Sequence, residues 1–221
     1  MPDVIINGPD GRLEGRYQHS RVPNAPIAIV LHPHPQYGGT MNNKVVYALY
    51  NGFARHGFSV LRFNFRGVGR SQGGYDRGEG ELSDAASALD WLQSFNQSAS
   101  ACWIAGFSFG AWIGMQLLMR RPEVHGFLSI ALPANSYDFS FLAPCPSSGL
   151  MVHGDKDESV PLTSVEKLVH KLHHQRDIRI DYRVVPGADH SFRDHTEELE
   201  VHVVDYLAKA LSEEAAARAT S

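Results

Sequence analysis

Residues 101–119 read ACWIAGFSFGAWIGMQLLM. A short apolar run, ACWIA, meets Gly106-Phe107-Ser108-Phe109-Gly110, and the almost wholly apolar AWIGMQLLM follows. Strand, cramped turn and helix form the context in which G-x-S-x-G lifts a serine hydroxyl off the end of a sheet. Glycines two residues either side leave room for the backbone to double back. The helix that follows aims its first amides at the serine, where negative charge develops during acyl transfer. The bland alternative is a Gly-rich turn with Ser108 as a helix cap, but the flanking elements favour a nucleophile.

Working outward, PIAIVL (26–31), FSVLRFN (58–64), GFLSI (126–130), GLMVH (149–153) and RIDYRVV (179–185) are further strand-like runs. All but the last are largely apolar, as parallel strands covered on both faces require. Helical spacing joins Val45, Val46, Leu49 and Phe53 over 41–56, with Gly57 as a natural stop. Leu82, Ala85, Ala86, Leu89 and Leu92 form a second stripe. Pro161 opens a helix with Leu162, Val165, Leu168 and Leu172 inward. A last helix over 195–211 buries Leu199, Val203, Tyr206, Leu207 and Ala210. Upstream, VIIN and LEGRYQ flank Asp10-Gly11 as an antiparallel hairpin. The order predicts an α/β domain with a mostly parallel sheet and helices on both faces, spanning 1–212, with 213–221 a frayed tail.

Composition narrows the class. The 221 residues are 43% hydrophobic and 20% charged, enough apolar material for a sizeable core. A net charge of -4 without a Lys/Arg block argues against nucleic acid as a partner. No apolar stretch approaches the roughly 18 residues that span a bilayer, so no membrane partner is expected. The start, MPDVIINGPDGR, has no signal-peptide pattern, and two cysteines, Cys102 and Cys145, suit a reducing cytoplasm. Assembly of like chains into a homo-oligomer stays open.

A serine hydroxyl needs a base to take its proton and an acid to orient that base. The chain order demanded is Ser, then Asp or Glu, then His, each beyond a later strand. GLMVH runs into Gly154-Asp155-Lys156-Asp157-Glu158-Ser159-Val160-Pro161, and RIDYRVV into Pro186-Gly187-Ala188-Asp189-His190-Ser191-Phe192. Among 12 histidines, His190 lies in the Gly-containing loop directly after the last strand, whereas His195 falls where the final helix starts. Asp157 is favoured as the acid, with Asp155 as turn or capping residue and Asp138 a remoter source.

These segments resemble the α/β-hydrolase superfamily over nearly the whole chain. GFSFG is similar to its nucleophile elbow, HGDKDESVP to its acid turn and GADHSF to its histidine loop. HPHPQYGGTMNNKVV with LRFNFRGVGRSQG further resembles compact bacterial hydrolases of undefined substrate, related to dienelactone hydrolases. Those use a cysteine nucleophile; Ser108 stands at that position here. The resemblance implies an α/β-hydrolase fold, and an oxyanion amide from the loop after PIAIVL. There, Pro33 and Pro35 have no N–H, which leaves His34, aligned with the usual His-Gly-x, or Gln36. The second amide falls to Phe109, directly after the nucleophile.

LHPHPQYGG (31–39) also has the H-x-H pattern of metal-dependent amidohydrolase barrels, but the chain is short for such a barrel and Ser108 would go unexplained. No metal is expected there. His170, His173 and His174 share one helix face and read as solvated. Arg66-Gly67-Val68-Gly69-Arg70-Ser71 fits neither a P-loop nor G-x-G-x-x-G and reads as a structural turn near the pocket. Trp112, Met115 and Leu118 read as core. The stretch 131–148 is too short for a separate lid domain; its Tyr137, Phe139, Phe141 and Leu142 line an acyl pocket or pack over the sheet edge. Tyr37, Phe107, Tyr137 and Phe141 are the candidate substrate contacts. The expected activity is a cofactor-free serine hydrolase acting on an ester-type bond of a small acyl substrate through Ser108, His190 and Asp157. Thioesterase, peptidase and acyltransferase chemistry share that machinery, and a non-catalytic binding scaffold is the rival of another class.

Overall fold

The computed structural model describes residues 2–176 and 178–219. Strands β1 (Asp3–Gly8), β2 (Gly11–Gln18), β3 (Ile27–Leu31), β4 (Ser59–Phe63), β5 (Cys102–Phe107), β6 (Val124–Ile130), β7 (Gly149–Gly154) and β8 (Ile180–Val185) form one sheet in the order β1-β2-β4-β3-β5-β6-β7-β8. β1 and β2 make the N-terminal hairpin; β2 also pairs antiparallel with β4, and the pairs from β4 to β8 are parallel.

Helices α1 (Lys44–Arg55), α2 (Glu79–Ser94), α3 (Phe109–Leu118), α4 (Leu162–His173) and α5 (Thr196–Ala219) cover both faces. Successive strand side chains point to opposite faces, and β3 shows the division. Ile27, Ile29 and Leu31 belong to the core on the face covered by α2, α3 and α4, while Ala28 and Val30 belong to that on the face covered by α1 and α5. Each strand from β3 to β5, and β7, is buried along its whole length, which is why these runs carry no polar alternation. β8, the edge strand opposite β1, is buried only at its ends, matching its more polar sequence.

The helix starts follow local chemistry. Asn43 accepts from the Val45 amide to open α1, and Gly57, at φ 79°, turns the chain after it. Glu81, wholly buried, accepts from the amides of Asp76 and Gly78 ahead of α2. The tail expected over 213–221 is helical as far as Ala219, because EEAAARA is rich in strong helix formers; residues 220–221 lie outside the described residues. The segment 131–148 forms no lid domain, holding only a short 3-10 turn at Ser140–Leu142. Among the described residues no helix is long and apolar enough to cross a membrane.

Candidate active site

Ser108 sits where β5 ends and α3 begins, with φ 53° and ψ −118°. Positive φ is costly for a residue with a side chain. The surroundings enforce it through close backbone contact: a Cβ on Gly106 would run into Gly110, and one on Gly110 into the carbonyls of Leu31 and His32. Both flanking glycines are therefore steric necessities. The Ser108 amide donates to the Ile130 carbonyl (2.8 Å), which ties the turn to β6.

His190 follows β8, and its Nε2 lies 3.0 Å from Ser108 Oγ. Its Nδ1 lies 2.7 Å from Asp157 Oδ2. The other carboxylate oxygen, Oδ1, accepts from the amides of Ser159 (2.9 Å) and Val160 (2.8 Å). Burial works to raise the Asp157 carboxyl, but the His190 hydrogen bond and the Val160 amide outweigh it and hold the pKa below the ordinary carboxylate value. Three side chains from the loops after β5, β7 and β8 thus form one hydrogen-bonded line. His195 stands outside it, passing its carbonyl to the Leu199 amide at the start of α5. Asp155 is exposed and accepts from the Gly187 amide (2.6 Å), while Asp138 caps its own turn through Ser140.

The loop after β3 is built by its histidines. His32 is fully buried; since the Phe65 amide must donate, Nε2 accepts (3.0 Å) and Nδ1–H donates to the Pro33 carbonyl (2.6 Å). Burial lowers its pKa to about 4, so the ring is neutral near pH 7. His34 Nδ1 accepts from the Gln36 amide (3.2 Å), and Nε2–H donates to the Tyr75 hydroxyl (3.1 Å). Every ring nitrogen of the H-x-H pair is engaged. The Gln36 amide is also committed, and Gln36 does not line the cavity beside Ser108, whereas His34 does. Phe109 is the first residue of α3, so its amide has no acceptor within the helix.

That cavity holds about 510 Å³ and is bounded by Pro33, His34, Tyr37, Phe107, Tyr137 and Val160 around Ser108 and His190. Three of the four expected contacts, Tyr37, Phe107 and Tyr137, line it. Phe141 does not: it stacks on Phe139, 5.9 Å between ring centres, and packs against the core with buried Leu142. The aromatic run of 131–148 therefore divides, Tyr137 to the cavity and the rest to the core. A larger hollow of about 950 Å³ lies among Trp103, His125, His173 and Lys209, at the opposite ends of the strands, and holds none of the hydrogen-bonded line.

Two residues escaped the sequence reading. Tyr75 supports the His34 ring from a Gly-rich loop whose letters give no signal of it. His153, in HGDKDESVP, is fully buried, donates through Nε2 to the Val160 carbonyl (2.9 Å) and stands 3.7 Å from Asp157 Oδ2. Its Nδ1 has no partner among the described residues, and burial lowers its pKa, so it remains neutral beside the carboxylate. The Arg66–Ser71 loop is structural but not part of the cavity lining. Arg66 forms a two-toothed pair with buried Asp84, and Ser71 links the Asn64 carbonyl to the Glu14 amide. Met115 and Leu118 are core, and partly buried Trp112 stacks on Tyr137. His170, His173 and His174 are exposed on α4.

Known proteins share this arrangement of chain. The family model for X-Pro dipeptidyl-peptidase (S15 family) matches residues 20–146, and that for the prolyl oligopeptidase family matches 133–214. An uncharacterized protein of Rickettsia prowazekii is 56% identical over 211 residues, covering 94% of this chain and 89% of its own. The crystal structure of an alpha/beta hydrolase of unknown function from Agrobacterium tumefaciens superposes with a TM-score of 0.94 at 61% identity, covering 96% of this chain and 98% of that one. A Xanthomonas campestris protein described as an a/b serine hydrolase without lid is 30% identical, with a TM-score of 0.85 and 94% of each chain covered. With the fold and these likenesses together, the chain belongs to the α/β-hydrolase superfamily, within the serine hydrolases that the S15 model describes.

Proposed function

We propose that the protein hydrolyses an ester-type bond of a small substrate through an acyl-enzyme formed on Ser108. The observation that carries this reading is the line Ser108 Oγ–His190 Nε2–Asp157 Oδ2, at 3.0 and 2.7 Å, beginning at a serine held at positive φ. His190 takes the serine proton as Oγ attacks the carbonyl, then gives it to the leaving oxygen. In the second half His190 takes a proton from water as the water oxygen attacks the acyl carbon; the Ser108 Oγ–acyl bond then breaks, the acid leaves, and His190 returns the proton to Oγ. Asp157, ionised and held by two amides, orients His190 and stabilises its cation. The amides of Phe109 and His34 receive the oxyanion, a group worth about 3–4 kcal/mol per donor. No step requires a cofactor.

A peptidase reading has its own support, since both matching family models are peptidase families. Favouring the ester is the cavity's composition. None of the described residues lining it is Lys, Arg, Asp or Glu, so a peptide's charged terminus would find no counter-ion. Both cysteines are free and buried, in keeping with a cytoplasmic protein. The test is labelling by a fluorophosphonate, wild type against Ser108→Ala, followed by a panel of esters, thioesters and X-Pro peptides. Equal labelling of the two proteins removes Ser108 from its role, no labelling of either favours the scaffold, and faster turnover of the peptides replaces the esterase with a peptidase.

A further inference from the structure

The serine hydrolase reading leaves the substrate undefined, and the cavity walls narrow it. Rings of His34, Tyr37, Phe107, Phe109 and Tyr137 line the cavity around the serine, and no Lys, Arg, Asp or Glu stands among the described lining residues. Burial pushes the Tyr137 phenol up to about 12, with Tyr75 adding to the shift, so this ring too is neutral at ordinary pH. A charged group entering the cavity would give up water and gain no counter-ion.

Tyr37 is the telling residue. It is 86% exposed at the edge of the cavity, so its ring adds almost nothing to the core. Yet the ring is held. The His34 carbonyl accepts from the amides of both Tyr37 and Gly39 (3.1 Å each), and Gly39 presses so closely on Pro33 that a Cβ there would strike its carbonyl. The Tyr37 ring rests on that of His34, with centroids 4.6 Å apart and planes 39° apart. His34 in turn is fixed by Tyr75 and by the Phe109 ring, 4.9 Å away. On the same cavity, Tyr137 is stacked on Trp112 at 4.1 Å and 26°. An aromatic exposed to water on a held loop gains the rest of its contact area only when something arrives to cover it, and a ring is the group that an aromatic face receives best.

Resting on that hydrolase reading, we propose that the site takes uncharged esters bearing an aromatic ring, and that Tyr37 selects for the ring. The test compares phenyl with cyclohexyl esters of equal carbon count, with the ring in the acyl part of one pair and in the alcohol part of the other. A third arm adds a carboxylate to the phenyl ester. The phenyl member of at least one pair is expected to have kcat/KM about fivefold to tenfold higher, and the carboxylate analogue to fall at least about tenfold. Tyr37→Leu is expected to bring the phenyl-to-cyclohexyl ratio close to one, and Tyr37→Phe to preserve it. A flat ratio in both pairs, full activity on the carboxylate ester, or a preference that survives Tyr37→Leu overturns the proposal. Fluorophosphonate labelling of the wild type separates the two levels. A labelled enzyme with a flat ratio refutes only the ring preference, whereas an unlabelled one refutes the hydrolase reading beneath it.

Discussion

Two loops reach the cavity from neighbouring strands, and they are shaped in opposite ways. The turn 106–110 after β5 owes its form to missing side chains, with Gly106 and Gly110 packed where no Cβ fits and Ser108 forced to φ 53°. The loop 32–39 after β3 owes its form mainly to side chains, with all four ring nitrogens of His32 and His34 spent on hydrogen bonds. In the first, the one functional group left over is a hydroxyl. In the second, the proposed donor to the oxyanion is a backbone amide. The lesson is that a histidine-rich motif can be scaffold while a glycine-rich one presents the proposed nucleophile.

The largest expected effect tests the first half of that contrast. Ser108→Ala should abolish fluorophosphonate labelling and lower kcat/KM on a phenyl ester by on the order of 10^5-fold. Its thermal midpoint should stay within a few degrees of wild type, because the constraint at this position lies in the backbone. Substantial residual turnover would mean that the hydroxyl is not the nucleophile, and the contrast between the loops would collapse.

The acid loop, 154–161, combines both devices and so sharpens the comparison. Gly154 is pressed against the Ala188 carbonyl, while Asp157 is held by two amides and one imidazole. Asp157→Asn should cost about 10^4-fold in kcat, since an amide cannot hold the required His190 tautomer or stabilise its cation. Asp155→Asn removes charge from an exposed turn bond to Gly187 and should change kcat by less than about threefold. Steady-state kinetics of the two variants decides between the acids, and a reversed order would transfer the role to Asp155.

How far each region could be read from its letters follows the same division. The strands and helices were legible because burial on both faces writes continuous apolar runs, and because Pro161 and Gly57 punctuate the chain. The elbow was legible because steric exclusion of a Cβ leaves glycine as the residue type. His190 and Asp157 were legible by their place after successive strands. The roles of Tyr75 and His153 were not, since a side-chain hydrogen bond to a partner 41 residues away, or 7 residues away across a loop, leaves no periodic pattern. Phe141 was misplaced for a related reason: aromatic spacing in an irregular segment does not reveal which rings face the cavity and which the core. The end of α5 was placed short because buried residues mark only the part of a helix that packs, whereas propensity carries it on to Ala219.

A smaller effect separates backbone from side chain in the second loop. His34 has φ −52° and ψ 123°, angles that proline tolerates. His34→Ala removes the ring and keeps the amide, and should lower kcat by about threefold to tenfold through loosening of the loop. His34→Pro removes both, and should lower it by a further factor of about 100 if the amide receives the oxyanion. The difference between the two variants, with KM followed separately, isolates the N–H. Equal losses would move the second donor elsewhere and leave His34 a wall residue.

The smallest effect concerns His32, whose role in the comparison is purely structural and whose signature is therefore stability rather than rate. Its ring is buried without charge, with a folded pKa of about 4 against 6.5 in an unfolded chain. Between those values the unfolded chain binds the extra proton and the folded one does not. Stability from this group is thus complete above about pH 6.5, falls as pH drops, and levels off near pH 4. From pH 7 to 5 the loss should be about 2 kcal/mol, approaching about 1.4 kcal/mol per pH unit below pH 6. His34 and His153 shift in the same direction, so the useful quantity is the difference between wild type and His32→Asn. Asparagine keeps a donor for the Pro33 carbonyl and gives up the acceptor for the Phe65 amide, so the variant should start less stable at pH 7. Urea unfolding at pH 7, 6 and 5 should show its stability declining less steeply than the wild type's. Parallel declines would mean that the His32 imidazole titrates alike in both states, and the second loop would then need a different account of what holds it.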